Sequence, residues 1–252
     1  MNALFELLNS HQEDAAIFAK QFFLTFLRVG TAMAVLPPFG EQSVPARVRL
    51  GVALALTLAV VPLAPMGALT VGSFGTETLI GLFLGLSLRF FVFALSTAGT
   101  IAANATSLSQ VFPQAGEPQP AMSTLLVMAG LALAMQADLP VRMVRFFAFS
   151  YDTFPMAQWP DVADVVAWVT RHADESFSLA FALSMPFVIA SLLYNVALGA
   201  INRAMPALMV TFVGAPALSL GGLALLAIVA PLVLQAWFAA FAQFVVHPFH
   251  GP

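Results

Sequence analysis

From Ala204 to Val246 the chain carries no charged side chain. As one helix this stretch would extend about 65 Å at 1.5 Å per residue, about twice the hydrocarbon thickness of a bilayer. Leu50–Thr76, Phe90–Gly116, Pro118–Ala137 and Ser176–Asn202 are free of charge as well. A helix crosses the hydrocarbon with about 20 apolar residues, and several of these runs are that long. Only 8% of the 252 residues are charged, against about a quarter in soluble domains. The chain is expected to be an all-α, polytopic membrane protein with broken helices and helical hairpins.

The breaks follow from proline and glycine. Ala15–Leu36 reads as a first helix, interrupted by Lys20 and Arg28, and PPFGEQSVPARVR as a loop. Leu50–Val61 continues apolar up to the Pro/Gly stretch PLAPMGALTVGSFG, and a long element runs from Thr76 toward Ser107 across Arg89. Three prolines and a glycine in SLSQVFPQAGEPQP, Ser107–Pro120, stop any helix there. Ala121–Ala137 is the next helix. Asp138–Glu175 is the one polar region, in which Asp161 is placed to cap a short helix with Val162, Val165, Val166 and Val169 on one face. Trp159 and Trp168 suit a membrane–water boundary. In the last third, the length argument requires a reversal, and VGAPALSLGG has the turn chemistry for it. The expectation is a helix ending near Arg203, a second beginning near Pro206, a reversal at 214–222 and a return helix.

Several chemistries are excluded. The net charge is −3 with no basic patch, which argues against nucleic acid. The absence of cysteine removes disulfides, thiol catalysis and thiolate metal sites. His11, His172, His247 and His250 lie at polar ends or loops in no metal-binding spacing, and neither a P-loop nor a nucleophile elbow occurs. No enzyme activity, cofactor or metal is expected. The acids in MNALFELLNSHQEDAAIFAK are unlike a secretory signal, so the first apolar segment is expected to be retained. Arg47/Arg49 and Arg142/Arg145 compete with nearby acids, so the positive-inside rule gives no orientation. Glu77 reads either as a proton-relay carboxylate or as an acid favoured by a helix start.

What remains are packing signals. Gly81 and Gly85 stand one turn apart and admit a close neighbour. Arg89 and Arg203 each cost about 2.5–3.5 kcal/mol at a bilayer centre, so they face protein, water or headgroups. Pro206 follows Arg203 closely, which favours a contact with a partner where the chain breaks.

The block SMPFVIASLLYNVALGAINRAMPALMVTFVGAPALSLGG resembles the C-terminal part of the FliR family (SctT in injectisomes). The shared features are Pro186, Asn195, Leu198-Gly199, Arg203-Ala204-Met205-Pro206 and Gly214-Ala215-Pro216. LRVGTAMAVLPPFGEQSVPARVRLGVALAL, ETLIGLFLGLSLRF and STAGTIAANATSLSQVF extend the resemblance over nearly the whole chain. Ala207 replaces a glutamine common in the family, and Ala215 a phenylalanine.

The resemblance implies a subunit of the type III export gate in the bacterial inner membrane, at the flagellar basal body in the preferred reading. Its partners would be FliP- and FliQ-type subunits, an FlhB-type protein, membrane lipid and unfolded exported proteins. A FliP-like part, 1–175 including the polar region 138–175, would precede a FliQ-like hairpin, 176–252. Subunit packing is expected at Gly81, Gly85, Arg89, Asn195, Gly199, Arg203, Pro206, Gly214 and Pro216. The break at Ser107–Pro120 would be a plug in the conduit. Leu108, Val111 and Phe112 would seal it, with Gln110 beside them, while Pro113, Pro118 and Pro120 keep it from becoming helix. A secondary transporter is the alternative class, since it also uses broken helices with intramembrane charges.

Overall fold

The computed structural model describes residues 2–36, 45–106, 121–204 and 210–248. Within them the chain is helical, and no strand occurs among the described residues. The helices are α1 (Asn2–Val35), α2 (Ala46–Val60), α3 (Val71–Ala105), α4 (Ala121–Gln136), α5 (Leu139–Thr153), α6 (Val162–Ala204) and α7 (Val210–Val246). A 3-10 turn, Val61–Leu63, closes α2.

Two compact units share these helices. The first holds residues 1–89, 138–171 and 243–252; the second holds 90–137 and 172–242. Both α3 and α6 contribute to each.

In the first unit, α1 buries Leu24, Thr25, Arg28, Val29, Ala32 and Met33, a single face at helical spacing. It packs on α2, whose buried residues Ala53, Leu56, Thr57 and Val60 repeat in the same way. Gln21 Nε2 donates to the carbonyls of Val61 (3.1 Å) and Ala64 (2.7 Å), tying α1 to the turn that closes α2. The start of α3 is held reciprocally. Thr70 Oγ1 accepts the Ser73 N–H (3.1 Å), and Ser73 Oγ accepts the Thr70 N–H (2.9 Å). Asp138 opens α5 in the left-handed region, φ 58°, a conformation that aspartate tolerates better than most residues. Leu139, Met143, Phe146, Phe147, Ser150 and Tyr151 then face the core of this unit.

In the second unit, small residues set the packing. A Cβ on Gly99 would lie 2.5 Å from Ser123 Cα, and one on Gly130 would meet Leu95 and Trp237. Trp237 Nε1 donates to the Phe91 carbonyl (2.8 Å) and its ring stacks on Phe241. Ala102, Ala103, Met122 and Phe187 form a buried cluster against Leu225, Leu226 and Val229.

Among the described residues, four helical stretches are long and apolar enough to cross a bilayer: Ala46–Leu63, Val71–Ala105, Val162–Ala204 and Ala217–Val246. A fifth results if Ala121–Gln136 and Leu139–Thr153 form one broken span.

Four expectations need correction. The first helix begins well before Ala15. Asp161 does cap a helix, accepting the Ala163 N–H at 2.8 Å, but that helix is not short: α6 runs 43 residues, through Pro186. The polar region also contains α5. Most consequentially, the reversal expected at 214–222 is absent, because α7 is continuous from Val210 to Val246. Backbone opened in an apolar setting loses hydrogen bonds that no water replaces, which outweighs the helix-breaking tendency of one proline. Gly222 serves packing instead of a turn: a Cβ there would lie 2.6 Å from Thr106 Cβ.

Candidate functional site

The most constrained group of side chains surrounds Arg28 in the first unit. Arg28 and Glu77 are both fully buried. Arg28 Nε donates to Glu77 Oε2 at 2.7 Å and Nη2 to Glu77 Oε1 at 3.1 Å, a bidentate pair. Nη1 donates to Ser150 Oγ (3.1 Å), and Nη2 also donates to the Phe154 carbonyl (3.0 Å). The guanidinium carbon lies 3.9 Å from the centre of the Tyr151 ring. Glu77 Oε1 accepts a further bond from the Ala157 N–H (2.8 Å), and Ala157 is left-handed, φ 62°.

This network joins α1, α3, α5 and the 154–157 turn. Each partner is supplied by local structure. Arg28 lies on the buried face of α1, and Ser150 and Tyr151 lie on that of α5. Glu77 sits beyond the first turn of α3, so the helix-start explanation does not account for it. Both of its oxygens are engaged by Arg28 and by Ala157. The arrangement fixes backbone; it offers no open position to a substrate. Among the described residues, no group of three or more His, Asp or Glu side chains is arranged to hold a metal ion.

The residues expected from the sequence fall into four sets. Gly81 and Gly85 face α1 of the same chain. A Cβ on Gly81 would lie 2.3 Å from the Arg28 carbonyl oxygen, and one on Gly85 would lie 2.6 Å from that of Ala32. Arg89 Nη1 donates to the Val35 carbonyl (3.1 Å) at the end of α1. Asn195, Gly199 and Arg203 recur every four residues on α6, and all three are exposed. Nothing lies within 4 Å of a Cβ on Gly199, and Asn195 Nδ2 reaches only one turn back to Ser191 Oγ (3.3 Å). Exposed Leu192 and Val196 flank this stripe. Gly214 and Pro216 lie within α7. Pro206 and the loop residues Leu108, Gln110, Val111, Phe112, Pro113, Pro118 and Pro120 lie outside the described residues.

The Arg28–Glu77 pair was missed by sequence reasoning. Its signal was present as two opposite charges, each interrupting an apolar helix, 49 residues apart.

Comparison with known proteins gives a consistent result. The model of the family described as bacterial export proteins, family 1, matches residues 19–244. A protein of Caulobacter vibrioides named flagellar biosynthetic protein FliR is 37% identical over 85% of this chain and 90% of its own length. A protein of the same name from Escherichia coli K12 is 28% identical over 84% of this chain and 85% of its own. In Aquifex aeolicus another is 25% identical over 90% and 95%. The chain therefore belongs to the bacterial export proteins of family 1, the FliR family.

Proposed function

We propose that this chain is a non-enzymatic subunit of the type III gate that exports flagellar proteins across the bacterial inner membrane. In this reading it assembles with FliP- and FliQ-type subunits and an FlhB-type protein, and lines part of a conduit for unfolded substrates. The observation that carries the reading is the family match over residues 19–244. It is supported by the relatives named for flagellar biosynthesis and by apolar helix faces that the chain itself does not cover. Only 17% of the most apolar stretch of α7 is buried within the chain.

The face at Gly81 and Gly85 is occupied by α1, so we assign subunit contact chiefly to Asn195, Gly199 and Arg203. Pro206, Gly214 and Pro216 belong to the same region of sequence. A charge at the end of a helix is stabilised by the negative end of the macrodipole, and Arg203 is then available to an acidic group on a neighbour. The segment Ser107–Pro120 is assigned the role of plug.

Copurification tests the assembly. Tagged wild-type chain, expressed with FliP- and FliQ-type subunits, should recover both. Arg203→Glu should lower recovery several-fold while the chain itself accumulates normally. Full recovery of both partners with Arg203→Glu and Gly199→Leu would remove subunit contact from this stripe.

A further inference from the structure

Between the end of α5 and the first turns of α6 lies a half-open cavity of about 570 Å³, within the range of small-ligand sites. Its charged lining comes from the cap and first turns of α6, and Thr153 of α5 adds a hydroxyl. Asp161, Asp164, Trp168 and Arg171 follow one another at three, four and three residues, so they share a face. Arg171 lies seven and ten residues beyond the two acids, about 10 and 15 Å along the helix axis. Among the described residues neither Asp164 nor Arg171 has an ion-pair partner.

The walls are fixed without a ligand. Arg28 holds the Phe154 carbonyl (3.0 Å), and the Phe154 ring meets Trp168 edge-on with centroids 6.4 Å apart. Trp168 Nε1 donates to the Pro248 carbonyl (3.3 Å). The buried ion pair therefore shapes this cavity, although it does not line it.

Position and charge select the ligand. The charge-free part of α6 begins at Ser176, so Arg171 lies about 8 Å outside the apolar stretch, the depth of a headgroup layer. A purely anionic headgroup would meet the two carboxylates, and a purely cationic one would meet Arg171. A phosphate bound by Arg171 and an ammonium bound by Asp161 and Asp164 satisfy both signs. The aromatic edge of Phe154 and Trp168 receives the less polar part, as aromatic side chains do at membrane interfaces. We propose that this cavity binds the headgroup of a zwitterionic phospholipid that carries a phosphate and a primary ammonium.

Native mass spectrometry of the full chain in detergent tests this, with phosphatidylethanolamine, phosphatidylglycerol and soluble phosphoethanolamine as probes. Wild-type chain should retain phosphatidylethanolamine over phosphatidylglycerol. Arg171→Gln, Asp164→Asn and the cavity-filling Ala167→Trp should each lower that retention about tenfold. All three positions are exposed, and unchanged helicity by circular dichroism identifies folded variants. Should Ala167→Trp fail to fold, the two charge variants decide. Equal retention of the two lipids, or wild-type retention by both charge variants, would overturn the proposal. Phosphoethanolamine binding as tightly as the lipid would overturn the membrane source.

Discussion

Arg28 sits where neither lipid nor an apolar protein interior accepts a bare charge. Its guanidinium is kept there by Glu77, Ser150 and the Phe154 carbonyl. A buried ion pair need not add stability over an apolar pair of the same shape, but removing one partner leaves the other uncompensated. Glu77→Gln or Arg28→Met alone should therefore destabilise the chain by about 3–5 kcal/mol. The double variant Arg28→Met/Glu77→Gln should cost less than the sum of the single changes. Denaturant unfolding of the purified chain in detergent measures this, and additive losses would mean that the pair is not coupled. Both charges were visible in the sequence as interruptions of apolar runs. Their pairing was not, because it depends on which helices pack together. The third contact of Glu77, from the Ala157 N–H, depends on a left-handed backbone position that no side-chain pattern announces.

Helix limits were legible on either side of the 107–120 segment, which itself lies outside the described residues: α3 ends at Ala105 and α4 begins at Ala121, close to the limits expected from the sequence. Isolated prolines and glycines misled, as at 214–222, because the same residue types serve close packing inside apolar helices. Gly222 against Thr106 is that case. Gly81 and Gly85 meet a close backbone neighbour, α1 of the same chain, which their spacing alone did not name. This distinction is testable. Gly85→Leu puts side-chain atoms into the backbone of Ala32, so it should lower the amount of folded chain even when expressed alone. Gly199→Leu meets open space, so the isolated chain should retain its thermal midpoint while recovery of FliP- and FliQ-type partners falls. Size-exclusion profiles of the chain alone and of the coexpressed complex separate the two outcomes. A monomer defect with Gly199→Leu would contradict the assignment.

The whole molecule leaves much apolar helix surface to be covered by lipid or by other subunits. The sequence carried this clearly, since uncharged runs of such length have few other uses. The proposed partners rest on the family resemblance alone, because exposed leucines do not name what covers them. A closed gate must block ions yet open for an unfolded chain, so a plug should be held weakly, with a low local opening free energy. Shortening Gln110–Gln119 should leave the complex assembled but raise ion leakage across the inner membrane, read as salt or dye sensitivity of the expressing cells. Unchanged leakage from an assembled complex would return this segment to the status of a connector.

The most direct measurement of the export role is secretion of flagellar filament protein into the medium by cells lacking this gene, followed by immunoblot. Secretion and swimming should both be lost, filament protein should still be synthesised inside the cells, and a plasmid copy should restore both. Normal secretion in the deletion strain would contradict that role.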